Sequence, residues 1–393
     1  MIAVVTGGSL PAFLTGGVSV QLRADLGFGE SGLGLAVGAF FTAAAVSSAV
    51  LGRTAERLGP TASMRVSASC SALALLGVAV GARSFALLLV FLAFGGVANA
   101  LSQPAANLFI ARTVPAERLG MAFAVKQSGI PAATLLGGLA VPTIALTVGW
   151  RWAFVSAAAL PLVGALTIPE AGRSAARSDE DADDGGRRAR VRVPMRPLVV
   201  LGFGIGFGAA AAGTLGAFLV NAAVDAGIAE GPAGLLVSAG SAFGIAMRLL
   251  AGRRADRREG GHLRVVSLML VAGSIAYVLY ATEQPWLLVL ATPLAFGAGW
   301  GWPGLFNLAI VRAHPTAAAA ASGVTQTGTY FGAVAGPVVF GAVVESASYR
   351  AAWLLAAGFA LAGAATIAFG RSLIRTERLR RELDEASVPN DPL

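Results

Sequence analysis

Cysteine is nearly absent from this chain. Cys70 stands alone, which excludes an intramolecular disulfide and any metal site built on thiolates. Lysine is as scarce: Lys126 is the only one, and the other basic side chains, two histidines aside, are all arginine. The histidines, His262 and His314, have no companion ligands beside them in sequence. No metal, cofactor or catalytic residue is therefore expected, and a membrane-embedded enzyme would need such a cluster at one membrane face. Charged residues make up only 13% of the chain, where a soluble protein carries about 25%. No Asp or Glu falls near the middle of a long apolar run; Asp25, Glu30, Asp225, Glu230, Glu283 and Glu345 all stand at run ends. An ordinary carboxylate proton relay inside a membrane is therefore not visible.

What the chain has instead is apolar length. It is 56% hydrophobic, in blocks of about 20 residues, the length a helix needs to cross a bilayer. The short segments of alternating polarity that a membrane β-barrel needs are absent. The fold class is all-α and polytopic, with the lipid bilayer as solvent. Twelve runs have approximate cores at 2–22, 32–51, 66–82, 85–111, 120–144, 152–169, 197–222, 232–251, 265–281, 285–311, 319–345 and 351–370. The split between the third and fourth rests on Arg83-Ser84, and its counterpart on Glu283-Gln284-Pro285. The first run starts at Met1 without a basic n-region or a small-residue cleavage site, so it reads as a retained span and not a signal peptide. An upstream start codon stays open. Glycine is abundant, 51 residues, which lets membrane helices approach closely.

The chain also repeats itself. The island Gly52-Arg53-Thr54-Ala55-Glu56-Arg57 returns 200 residues later as Gly252-Arg253-Arg254-Ala255-Asp256-Arg257. The offset holds elsewhere: Gln21 aligns with Asn221, Asp25 with Asp225, Gly34-Leu35 with Gly234-Leu235, and Asn107-Leu108 with Asn307-Leu308. Such self-similarity marks duplication of a structural unit. Six runs per unit is an even number, so both units enter the membrane from the same side as parallel repeats. The expected organisation is a six-helix bundle over 1–169, a linker over 170–196, a second bundle over 197–370 and a tail over 371–393.

Arginine gives the orientation. Of the 29 Lys+Arg, only Arg23, Arg83, Arg151 and Arg350 fall on the side opposite the termini. The basic side is expected to be the cytoplasm, with both termini there, in the cytoplasmic (inner) membrane. The net charge of +8 then reflects membrane topology, and no nucleic-acid partner is expected. The linker joins an acidic block, Ser178 to Asp184, to an arginine block, Arg187 to Arg192, and reads as a polar connection. In the tail, Glu377/Arg381, Arg378/Glu382 and Arg381/Glu385 stand at i,i+4, which supports a short solvated helix.

Twelve spans in two parallel sets, a central loop, and a Gly-x-x-x-(Asp/Glu)-Arg loop after spans 2 and 8 together resemble the major facilitator superfamily. Gly52, Glu56, Arg57 and Gly59 match its signature loop, with Glu where Asp is usual. Gly252, Asp256 and Arg257 match the second copy, whose later glycine is displaced to Gly260. Gly149-Trp150-Arg151-Trp152-Ala153-Phe154 before span 6 is also similar to the family. The resemblance implies a monomeric secondary transporter of a small molecule, working by alternating access, with no cofactor. It leaves the coupling ion and the substrate unspecified, because one fold hosts many cargoes. It also implies a gating cluster on the basic side. Glu56 would accept hydrogen bonds at a neighbouring helix N-terminus and pair with Arg112, while Asp256, Arg257 and Arg312 repeat the arrangement. Arg248, one turn before Gly252, reads more as a reach to this latch than as a substrate contact.

Candidate substrate contacts are the polar groups inside spans. Lys126 in span 5 reads either as a cation for an anionic cargo or as a side chain snorkelling to headgroups; Gln127 follows it. Asn99, Gln103 and Asn107 form one face of span 4 at i, i+4, i+8, for the cavity or for interhelical bonding. Trp300, Trp302 and Asn307 in span 10, and Gln326 and Tyr330 in span 11, are further candidates, with core packing the rival reading for the tryptophans. Gly328, Gly332 and Gly336 form a close-packing stripe. The alternation Gly202, Gly204, Gly206, Gly208 lacks the spacing and context of a dinucleotide fingerprint.

Small organic or inorganic anions are the leading expected cargo, met by Lys126. Efflux of drugs or other apolar compounds is the alternative. The anion expectation rests partly on departures from the family's proton-coupled drug-efflux branch. Span 4 lacks that branch's membrane arginine, and its Gly-Pro order is missing from span 5, standing instead at Gly336-Pro337 in span 11. A non-transporting sensor on the same fold is a third possibility.

Overall fold

A backbone N–H or C=O left unpaired in hydrocarbon costs several kcal/mol, so long apolar runs cross it as helices. The computed structural model describes residues 1–115, 118–168, 195–257, 260–314 and 318–387, with side chains described except at 318–320 and 377–387. Among these residues all regular structure is helical. Eleven helices are long and apolar enough to span a bilayer, and a pair bent by 71°, Ile2–Gly17 and Ser19–Leu26, supplies a broken twelfth, span 1. Span 2 is Glu30–Leu58, span 3 Pro60–Gly81 and span 4 Phe85–Thr113. Span 5 joins Leu119–Gln127, Gly129–Ala140 and a π-helical end, Val141–Ala145; span 6 is Trp150–Thr167. Span 7 is Met195–Asp225, span 8 Glu230–Asp256 and span 9 His262–Tyr280. Span 10 joins Pro285–Leu294, the π-helical Ala295–Gly299 and Pro303–Ala313, followed by span 11, Ala318–Ser346, and span 12, Tyr349–Ser387.

The helices run past the expected cores. The Gly52–Leu58 island is the last two turns of span 2 and not a loop. Gly59, at φ 78°, stops that helix in a conformation only glycine adopts without strain. Pro60 then opens span 3 at its first turn. The split at Arg83-Ser84 holds: Ser84 caps span 4, its hydroxyl accepting from the Leu87 N–H at 3.4 Å. The tail continues as helix to Ser387. Its expected charge pairs lie outside the described side chains, and most of the 170–196 linker lies outside the described residues.

Helices already in lipid gain nothing from mutual burial of apolar area, so they associate where small side chains let backbones meet. The glycine stripe of span 11 does this. A Cβ on Gly328, Gly332 or Gly336 would strike the backbone of Gly202, Gly206 or Ala210 on span 7. Span 7 packs on spans 11 and 12, span 9 on span 12, span 4 on spans 2 and 3, and span 3 on span 6. Across the repeat, span 2 meets span 11, span 5 meets span 8, and span 1 meets span 7. These three seams carry the side chains of interest.

Candidate functional site

At the basic end, the second signature copy forms a lock. The Asp256 carboxylate, on the last residue of span 8, accepts from the backbone N–H of Gly120 at 2.8 Å and Met121 at 3.0 Å. These belong to the first turn of span 5, where amide donors have no intrahelical partner and the helix dipole favours an anion. A Cβ on Gly252 would come within 2.6 Å of the Ala124 Cβ, so both contact residues must be small. Arg312 donates to the Ala255 carbonyl at 3.1 Å and lies 3.2 Å from His262 Nε2, tying spans 8, 9 and 10. Arg257 is exposed.

The first copy does not repeat this. Glu56 and Arg57 are exposed, and the expected Glu56–Arg112 pair is not formed. The reason is distance between helices: nothing lies within 4 Å of a Cβ built on Gly52. Span 2 leans on span 11 at the opposite end, where a Cβ on Gly34 would strike the Pro337 carbonyl.

That opposite end is held by bonds that cross the repeat. The Asn221 amide donates to Glu30 Oε2 at 3.2 Å, and the Gln21 amide donates to Glu230 Oε2 at 2.5 Å. Gln21 aligns with Asn221, and Glu30 with Glu230, so these are two copies of one clamp related by the repeat. The first is reinforced: Glu30 also receives the Tyr349 hydroxyl at 2.6 Å and an ion pair from Arg23. The Ser19 hydroxyl donates to Asn221 Oδ1 at 2.8 Å, and the Ser31 N–H donates to Glu345 at 2.8 Å. A vestibule of about 460 Å³ opens beside the clamp, lined by Arg23, Phe28, Glu30, Asn221, Asp225 and Tyr349 among others. These gate residues were not singled out from the sequence. The signal was present, an amide nine residues before an acid, recurring at the same offset.

In the middle, Lys126 is 4% exposed, so it does not snorkel to headgroups. Among the described residues its amine makes no hydrogen bond or ion pair. Arg248 is 3% exposed and does not join the latch, a correction to its expected role. Its guanidinium donates to the Gln127 carbonyl of span 5 at 2.5 Å and to the Trp300 carbonyl of span 10. Both carbonyls stand at helix breaks, and proline explains the first. Pro131, four residues past Gln127, has no N–H to offer. In span 10, Pro303 likewise frees the Gly299 carbonyl, which accepts from Trp302 Nε1 at 2.9 Å. Trp302 is 1% exposed and so belongs to the core. Trp300 is buried against Phe13, ring centroids 5.4 Å apart, and the Arg248 guanidinium lies 5.8 Å from its ring.

Asn99 takes the interhelical reading, donating to the Gly8 carbonyl at 3.2 Å and lying 3.4 Å from the Ser9 hydroxyl of span 1. Gln103, Asn307 and Tyr330 are half-buried, and Asn107 and Gln326 are exposed. Among the described residues these five side chains hold no hydrogen bond. The structure thus brings Lys126, Gln127, Arg248 and Trp300 to one level of spans 5, 8 and 10. It leaves Gln103 and Asn107 of span 4, Asn307 of span 10 and Gln326 of span 11 accessible, with no hydrogen bond among the described residues.

Comparison with known proteins agrees with this architecture. The model of the Major Facilitator Superfamily matches residues 3–257 and again 198–388. A chloramphenicol resistance protein of Streptomyces lividans is 30% identical over 385 residues, covering 93% of each chain. An MFS-type efflux pump of Mycolicibacterium smegmatis is 30% identical over 391 residues, 90% of this chain and 86% of its own. These relatives favour the efflux alternative over the anion expectation. The chain belongs to the Major Facilitator Superfamily and is a multi-pass membrane transporter of that family.

Proposed function

We propose that this transporter exports small drug-like compounds from the cytoplasm, with both termini on the cytoplasmic side of the cell membrane. The observation that carries the reading is full-length likeness to a chloramphenicol resistance protein and an efflux pump. The geometry supports alternating access. Two six-helix bundles, 1–169 and 197–370, rock about the seams between spans 1/7, 2/11 and 5/8. In the conformation described, the outer end is closed by the Glu30 and Glu230 clamps. Among the described residues, the cytoplasmic end is locked along spans 5/8 by Asp256. Cargo enters on the side of Glu56, which is exposed, and meets Gln103, Asn107, Asn307, Gln326 and Tyr330.

Lys126 and Arg248 give the path a positive middle, and among the described residues neither is paired with a carboxylate. That charge favours neutral or anionic cargo over organic cations, and it retains part of the anion expectation. The test is expression in a bacterium stripped of its main efflux pumps. Intracellular chloramphenicol should fall severalfold and the inhibitory concentration should rise. Unchanged accumulation of chloramphenicol and of ethidium, with the protein present in the membrane, refutes the export reading.

A further inference from the structure

A guanidinium buried in a membrane interior without a counter-ion is costly, and such groups mark functional sites. Arg248 is in this position, 3% exposed. Its two terminal nitrogens are held by the carbonyls of Gln127 and Trp300, and its Nε is buried with no hydrogen-bond partner. Neither ion pair seen among the described residues reaches it; these are Arg23–Glu30 and Arg151–Asp25. A second positive feature meets it there. Span 10 breaks after Gly299 and restarts at Pro303, so a helix of 11 residues begins inside the membrane, one turn past the Trp300 carbonyl that Arg248 holds. Pro303 has no N–H. The Phe306 amide donates to the Trp302 carbonyl at 3.1 Å, while those of Gly304 and Leu305, nearer the start, have no intrahelical partner and stand at the positive end of the helix dipole. Arg248, Gly304 and Leu305 line one crevice, closed by Gly120 and Ala124 of span 5 and Gly252 of span 8. Lys126 follows Ala124 by two residues on the same helix. The nearest acid along span 8, Asp256, is two turns away, about 12 Å at 1.5 Å per residue, and its carboxylate is taken by the Gly120 and Met121 amides.

We propose that this crevice binds a monatomic anion, chloride in the cell, between the Arg248 guanidinium and the first amides of the second half of span 10. A guanidinium and a helix N-terminus repel one another, and an anion placed between them satisfies both. Size selects the anion. The crevice has about 10 Å³, about one water-sized sphere, which shuts out carboxylates, sulfate and phosphate. Chloride is slightly larger than water, and the crevice lies on the seam between the two bundles, where a small parting of span 5 from spans 8 and 10 admits it. Once bound, the anion is the counter-ion that Arg248 lacks. It braces span 8 against span 10 behind the Gly252–Ala124 contact, so chloride favours the closed 5/8 seam. Gln103, Asn107, Asn307, Gln326 and Tyr330 are not among the residues that line this crevice. The site therefore goes beyond the export reading and stands or falls apart from it.

The test melts the purified full chain in sodium gluconate and in sodium chloride at equal ionic strength. The wild type should melt about 2–4 °C higher once chloride is about tenfold above its dissociation constant. Two variants remove the site in different ways. Arg248→Gln takes away the charge and should weaken chloride binding about tenfold or more, the worth of one charge-assisted hydrogen bond. Gly304→Ala keeps the charge and narrows the crevice; its Cβ would meet Ala124 at 3.7 Å, an ordinary contact, so the fold tolerates it. It should weaken chloride binding about fivefold or more. No chloride shift in the wild type assigns the crevice to water and overturns the proposal. A shift of equal size in all three proteins is an adventitious ion only and overturns it too. A shift lost in one variant and kept in the other also overturns it, because the site needs both the charge and the space. If Arg248→Gln does not fold, Gly304→Ala decides alone: weakened chloride binding supports the site and an unchanged shift refutes it. Sodium sulfate that raises the wild type over Arg248→Gln as much as chloride does overturns the assignment to a monatomic anion.

Discussion

Asp256→Asn should loosen the lock at the basic end by an amount the geometry sets. The carboxylate accepts two backbone N–H bonds, at 2.8 and 3.0 Å, from the first turn of span 5. An asparagine keeps one acceptor oxygen, so one donor loses its partner, at about 1–3 kcal/mol. The charge–dipole attraction goes as well, about 0.3–1 kcal/mol for a group near the surface. Asp256 is partly exposed, so the lower part of each range applies, roughly 2 kcal/mol in total. That is about thirtyfold in the equilibrium toward the state open at spans 5/8, since 1.4 kcal/mol is a factor of ten. The assay is maleimide labelling of Ala251→Cys, a crevice-lining position, in a Cys70→Ser background that removes the one native thiol. Labelling through transient opening should be about thirtyfold faster in Asp256→Asn. Glu56→Gln should change it less than twofold, because Glu56 is exposed and holds no partner among the described residues. Equal rates in wild type and Asp256→Asn, or an equally large effect of Glu56→Gln, would refute the lock.

Three further outcomes are expected. Glu30→Gln should expose Val20→Cys to a membrane-impermeant thiol reagent more than Glu230→Gln does, because among the described residues Glu30 holds Asn221, Tyr349 and Arg23 beside the vestibule while Glu230 holds Gln21. Gly332→Val should lower the melting temperature by several degrees or prevent insertion, since its side chain would strike the Gly206 carbonyl of span 7; Gly358→Val, which meets nothing within 4 Å, is the control. Lys126→Met should raise thermal stability in detergent, because it removes a buried charge that has no partner among the described residues. It should also weaken transport of nalidixate more than of ethidium, and a lower melting temperature would count against an unpaired amine.

The sequence made the architecture legible because its signals were long and repeated. Runs of 20 apolar residues and the 200-residue offset gave twelve spans, and the Gly328–Gly332–Gly336 stripe gave a close helix contact. Individual site residues were harder to place. Arg248 looked like a latch residue because it lies one turn from Gly252. Only the loss of a donor at Pro131, on another span, draws it to Gln127. The Glu56 and Asp256 copies looked equivalent, and sequence similarity cannot tell that one is packed and the other is not. The Glu30–Asn221 and Gln21–Glu230 clamps went unpaired because each joins residues about 200 positions apart, and only the opposing seams of the fold bring them together.

The glycine contact between spans 7 and 11 has a mechanical consequence. Backbones in direct contact at Gly202/Gly328 and Gly206/Gly332 cannot slide without a clash, so span 11 is a stiff rod fixed to span 7 along its middle. Its 29 residues give a rod about 43 Å long at 1.5 Å per residue. It meets span 2 where Gly34 faces Pro337, about 28 Å along the helix from Ala318 at 1.5 Å per residue, so a tilt of about 10° there swings the near end by about 5 Å. That stroke parts the helices by about the width of one aromatic ring, and the long arm is what turns a small rotation at the fulcrum into an opening of that size.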